Sequence, residues 1–96
     1  MRVYFVYMLA NRHRNVLYIG VTRDLLRRVG QHREGQFSSF TQRYSVHTLV
    51  WYEVHHNILA AIQQEKKIKK WRRPWKDALI EKDNPNWRDL FDDLQP

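Results

Sequence analysis

The sequence predicts an α+β fold in which a small three-stranded antiparallel sheet is flanked by helices. Three observations carry that prediction. Residues 3–10, 16–21 and 48–54 are short segments dense in β-branched and aromatic side chains, the composition and length of strands. The first two are separated only by the polar residues 11–15, a connection that makes an antiparallel hairpin. Residues 23–34 and 57–71 carry apolar side chains at helical spacing, and Pro74 ends the second of these helices or starts the next, a short one over 75–82.

Residues 3–10 form an almost unbroken apolar run, which suits a strand covered on both faces. They are therefore placed at the centre, paired with both other strands. If Ala10 lies opposite Asn15, then Tyr7 lies opposite Tyr18. The second strand, residues 16–21, runs into Gly20, which is read as a tight structural turn. Thr22 offers a hydroxyl at the helix start, and Asp24 puts negative charge in the first turn, where the helix dipole favours it. Leu25, Leu26 and Val29 make the buried stripe, and Arg28 and His32 lie one turn apart on its flank. Gly35 is placed just past the helix end. Gly30 inside the helix costs about 1 kcal/mol relative to alanine, so a close backbone contact is expected there.

Residues 36–47 are a polar loop dotted with aromatics, a length often tied to function. In the third strand, alternation puts Leu49, Trp51 and Glu53 on one face and Val50, Tyr52 and Val54 on the other. Asn57 caps the long helix, whose apolar face carries Ile58, Ala61, Ile62 and Ile68, with Glu65 inside the same stripe. A carboxylate there is expensive unless partnered. A salt bridge to an arginine, a metal ion, or a place in a cleft would each satisfy it. The lysines that follow run into Trp71, Arg72, Arg73, Pro74, Trp75 and Lys76.

A chain of 96 residues is long enough for one modest core. Residues 1–82 are expected to form that domain, with the acidic and aromatic tail 83–96 packing on it through Trp87, Leu90, Phe91 and Leu94. The net charge of +7 attracts polyanions. The sequence contains no cysteine, which excludes disulfides, zinc fingers and thiol nucleophiles. With no leader-like segment and no long apolar run, a soluble, cytoplasmic protein without membrane association is expected.

Tyr18-Ile19-Gly20 reproduces the second signature triplet of the GIY-YIG nuclease superfamily, and Phe5-Val6-Tyr7 is a degenerate first triplet that keeps the tyrosine. Arg28 and His32 match the family's arginine and histidine on the first helix, and Glu65 matches its metal-binding glutamate on a later one. Across about residues 3–82 the chain resembles the short single-domain bacterial members and the amino-terminal excinuclease domain of the same superfamily. The resemblance implies a GIY-YIG endonuclease-like fold and metal-dependent hydrolysis of phosphodiester bonds. Glu65 would hold one Mg²⁺ or Mn²⁺, and Arg28 would grip the scissile phosphate. Tyr7, Tyr18 and His32 would orient or deprotonate the attacking water.

These five residues must then line one shallow cleft where the two helices meet at a sheet edge. Asn84 or Asn86 would stand for an asparagine often found near the domain's end. Nucleic acid is the expected partner, DNA before RNA. The chain shows no separate binding domain, so its grip would come from Lys66, Lys69, Lys70, Arg72, Arg73 and Lys76, from the 36–47 loop with Arg43, or from a protein partner. Trp71, Trp75, Phe37 or Phe40 would stack on unpaired bases, with at least one of the tryptophans expected to pack in the core instead. The alternative is a nucleic-acid-binding module that keeps the fold with little turnover.

Overall fold

The computed structural model describes residues 2–36 and 38–94. Its elements run β1 (Tyr4–Ala10), β2 (Leu17–Thr22), α1 (Leu25–Arg33), α2 (Ser39–Arg43), β3 (Thr48–His55), α3 (Ile58–Lys69), α4 (Arg73–Asp83) and a 3₁₀ turn over Phe91–Leu94. The sheet order is β2-β1-β3 with both pairings antiparallel, so β1 is central as its apolar run requires. Its alternate residues feed two cores. Val6, Met8 and Ala10 pack with Ala61, Ile68 and Ile80 from α3 and α4. Tyr7 and Leu9 pack on the other face with Leu25 and Val29 of α1, and with Leu90, Phe91 and Leu94. Among the described residues no helix is long and apolar enough to cross a membrane.

The hairpin register differs from the expectation by two residues. Ala10 pairs with Leu17, Leu9 with Tyr18 and Tyr7 with Gly20. The turn is longer because the Asn11 side-chain oxygen accepts from the backbone N–H of both Asn15 and Val16, at 3.0 and 3.1 Å. Arg14 supplies the left-handed residue at φ 61°. A shift of two keeps Tyr7 and Tyr18 on one face, where a shift of one would have parted them. Gly20 consequently lies within β2 and is not a turn.

In β3, Met8 pairs with Trp51 but Leu9 with Leu49, so Val50 is an extra residue. This bulge overrides the simple alternation. Leu49 joins the Tyr7 core, while Val50 and Trp51 both join the other.

Three local readings are corrected at the helices. Asp24 is the cap of α1 and accepts from the Arg27 N–H at 3.1 Å, while Thr22 still belongs to β2. Nothing lies within 4 Å of a Cβ built on Gly30, so no close contact explains that glycine. The 36–47 segment contains α2, capped by Ser38. Two expectations hold as stated: Gly35 takes φ 70° past α1, and Asn57 caps α3 by accepting from the Ala60 N–H at 3.1 Å.

Candidate active site

Tyr7 and His32 are both fully buried. The expected flank position of His32 is therefore wrong, since its imidazole stands in the core of the α1 face. Its two ring nitrogens are both engaged. Nδ1 lies 3.0 Å from the Thr41 hydroxyl and Nε2 lies 2.9 Å from the Tyr7 hydroxyl. The Thr41 hydroxyl donates its one proton to the Ser38 carbonyl at 3.1 Å, so toward His32 it accepts. Nδ1 therefore carries hydrogen, and the neutral ring presents a bare Nε2 to which the Tyr7 O–H donates. Burial first, then the charges of Arg28 and His47, push the His32 pKa down to about 4, which keeps the ring neutral near pH 7. Thr41 escaped the sequence reading. Its only signal was a hydroxyl residue inside an aromatic-dotted loop.

The Tyr7 phenol reaches His32 by crossing the neighbouring strand at Gly20. A Cβ built there would sit 2.6 Å from the Tyr7 hydroxyl and 2.7 Å from its Cζ, inside contact distance. Burial raises the Tyr7 pKa well above the ordinary phenol range, assisted by Tyr18, while a hydrogen bond and the charge of Arg28 pull the other way. Arg28 and Tyr18 are thus both polar neighbours of the Tyr7 hydroxyl. The Tyr18 ring centroid is 5.0 Å from that of His32 and 6.2 Å from that of Tyr7. Unlike Tyr7, it remains half-exposed. Tyr7, Tyr18, Arg28 and His32 are therefore brought together by β1, β2 and α1, and the partly exposed members, Tyr18 and Arg28, face two depressions.

Arg28 lines a cleft of about 440 Å³ with Thr22, Arg23, Asp24, Arg27 and Gln31, where three guanidiniums suit an anionic strand. Tyr18 lines a groove of about 240 Å³ with Phe40, Lys69 and Lys76, among others. Phe40 and Tyr44 extend the aromatic surface, with centroids 4.9 Å apart, and the Arg43 guanidinium lies 5.6 Å from the Tyr44 ring.

Helices α1 and α3 cover opposite faces of the sheet, so the expectation that all five residues line one cleft is not met: Tyr7, Tyr18, Arg28 and His32 gather on the α1 side and Glu65 belongs to the far side. The connection between them runs round β2 through Lys69, which lines the Tyr18 groove and pairs with Glu65 at 2.8 Å. The carboxylate's ionic partner is this lysine rather than an arginine. Among the described residues no three His, Cys, Asp or Glu side chains cluster as a metal cage. One largely buried carboxylate fits a hard ion such as Mg²⁺ that takes its other oxygens from water and a bound phosphate.

The basic residues divide. Lys66, Lys70 and Arg72 are exposed, and the Lys76 ammonium donates to the Lys69 carbonyl at 3.3 Å beside the groove. Arg73 is committed to the fold and leaves the contact set. It pairs with Asp77 at 2.7 Å, donates to the carbonyls of Arg14 and Asn15, and lies over the Trp87 ring. Asn84 is likewise structural, because its amide donates to the Val50 and Arg88 carbonyls and accepts from the Arg88 N–H. Asn86 uses its carbonyl to accept from Arg14. Trp71 is half-buried against the α3–α4 core, while Trp75 is exposed. Phe37 lies outside the described residues.

Residues 3–78 match the GIY-YIG catalytic domain, and the chain belongs to the GIY-YIG family. Within it, the chain is 35% identical over 65 residues to a UPF0213 protein of Bacillus pumilus (strain SAFR-032), covering 68% of this chain and 66% of that one. It is 30% identical over 74 residues to a UPF0213 protein of Aeromonas salmonicida (strain A449), covering 77% and 54% respectively. The match thus spans less than two thirds of either relative. A third, from Haloquadratum walsbyi (strain DSM 16790 / HBSQ001), is 35% identical over 65 residues, covering 68% of this chain and 73% of that one. The fold is similar to the solution NMR structure of the UPF0213 protein BH0048 from Bacillus halodurans, with TM-score 0.58, 23% identity, and coverage of 92% and 93%.

Proposed function

We propose that the protein is a metal-dependent endonuclease that hydrolyses phosphodiester bonds in DNA, selecting substrates by structure more than by sequence. The observation that carries this reading is the linked set of Arg28, Tyr18, Tyr7, His32 and Thr41, in which a buried neutral histidine holds a tyrosine beside an arginine. Arg28 grips the scissile phosphate with paired donors and counters charge that grows in the transition state. Tyr18, partly open to solvent, meets the attacking water. Behind it Tyr7, His32 and Thr41 form a rigid hydrogen-bonded line that fixes both phenols.

Glu65 would hold the divalent ion, which when bound would supply positive charge to a phosphate lying at the β2 edge, in the groove that Lys69 shares with Tyr18. Lys66, Lys69, Lys70, Arg72, Lys76 and Arg43 would neutralise backbone phosphates. The exposed Phe40 and Tyr44 would favour substrates with unpaired bases. Among the described residues no base-reading element stands beside them. A second reading, binding without turnover, is favoured by the Glu65–Lys69 ion pair, which occupies the one carboxylate a metal would need.

A cleavage panel over duplex, branched, single-stranded and RNA substrates with Mn²⁺ decides between them. Arg28→Ala is expected to lower turnover about 10²–10³-fold with a smaller loss of binding. Glu65→Gln is expected to abolish metal-dependent cleavage while keeping the fold and nucleic-acid affinity. Wild-type protein that binds DNA yet cleaves no substrate would establish the second reading.

A further inference from the structure

We propose that Lys69 is an exchangeable counter-ion that keeps Glu65 from binding metal until a nucleic-acid strand arrives. The inference rests on the reading of Glu65 as the metal-holding carboxylate. The two members of the pair differ in their surroundings. The Glu65 side chain is 15% exposed, the Lys69 side chain 52%, and their charged atoms are 2.8 Å apart. The carboxylate is nearly fixed in place, whereas the ammonium sits on a flexible stem at the surface. That stem lines the groove that also holds Tyr18, Phe40 and Lys76. Lys69 can therefore serve two anions, the carboxylate behind it and a phosphate in front of it.

While the groove is empty, Lys69 neutralises Glu65, and a divalent ion approaching the carboxylate meets a positive charge already there. A backbone phosphate entering the groove competes for the same ammonium, with Lys76 adding to its pull. Once Lys69 turns to the phosphate, Glu65 becomes a mostly buried carboxylate without compensation, a costly state that a cation relieves. The phosphate also offers oxygen ligands to that cation. Strand and ion therefore bind with positive coupling, and by linkage each must raise the other's affinity by the same factor. The protein carries no bound ion to non-productive sites and completes its metal site on substrate.

The test is equilibrium Mn²⁺ binding, read as loss of the free-ion electron paramagnetic resonance signal. It is run with and without an oligonucleotide whose linkages are slowly cleaved phosphorothioates. Protein-free oligonucleotide supplies the background. Without oligonucleotide, Lys69→Met is expected to bind Mn²⁺ about 5–150-fold more tightly than wild type, the usual span of such couplings. With oligonucleotide, wild type gains affinity and the difference between the two narrows. Lys69→Arg, which keeps the charge, should bind as wild type does without oligonucleotide. Equal Mn²⁺ affinity for wild type and Lys69→Met without oligonucleotide, with Glu65→Gln weaker than both, overturns the counter-ion role and leaves the metal site standing. Mn²⁺ binding that Glu65→Gln does not change under any condition overturns the metal site and the counter-ion role together. Far-ultraviolet spectra and melting curves confirm that each variant is folded before comparison.

Discussion

His32 shows how a single side chain can be read correctly in kind and wrongly in place. Between Arg28 and Arg33 it looks like one more surface cation, and only its partners, Tyr7 from β1 and Thr41 from α2, explain why it is buried. Those partners come from other elements, so helical spacing could not reveal them. The burial has a consequence with a definite sign. A histidine whose folded pKa is lowered from 6.5 to about 4 takes up protons more readily in the unfolded chain, so stability is lost as pH falls through that window. The loss should approach about 3 kcal/mol at its full extent, and urea melts between pH 7 and 4 will measure it. His32→Gln should flatten this dependence, although its stability at neutral pH should be lower. A second residue-scale expectation concerns Gly20. Gly20→Ala must displace a fully buried Tyr7 ring and should cost about 1–3 kcal/mol, read as a lower melting temperature accompanied by reduced cleavage.

At the scale of elements, the strand order was legible because the apolar run of β1 demands cover on both faces. The cap of α3 at Asn57 was legible from residue type alone. The bulge at Val50 was not, since it depends on both faces of β3 finding apolar partners that lie far away in sequence. Helix α2 was hidden because it has only five residues, too few for periodicity to show. Its importance to the site can be tested through its one structural threonine. Thr41→Val keeps the shape but leaves the His32 Nδ1–H without its acceptor in a buried setting. The expected cost is about 1–3 kcal/mol, with cleavage reduced while DNA binding is retained. Unchanged stability and rate in this variant would remove the Thr41 anchor from the site.

For the whole molecule, charge and cores work on separate surfaces. The tail packs into the protein through Trp87 on one core and through Leu90, Phe91 and Leu94 on the other. Arg14 and Arg73 lie over the Trp87 ring, at 5.6 and 5.9 Å, and tie the β1–β2 turn and α4 to it. This divides the seventeen lysines and arginines into those that hold the fold and those turned outward to meet a polyanion. The logarithm of affinity should fall linearly with the logarithm of salt, at about −0.9 per phosphate contacted on duplex DNA. Replacing Lys69, Lys70, Arg72 and Lys76 by alanine should flatten that slope, measured by fluorescence anisotropy. Replacing Arg73 should instead lower the melting temperature. A slope that survives the four substitutions would move the contact to the arginine-lined cleft at Arg23, Arg27 and Arg28.

The crossing of Tyr7 over Gly20 makes one object of two signature triplets that stand apart in the chain, a plug from the first and a socket from the second. Phe5 is set two residues along the same face, and Val6 points into the opposite core. Neither shapes the socket. The first triplet can therefore vary at both positions and still deliver its tyrosine, whereas any side chain at the glycine must displace the neighbour that already fills the space above it.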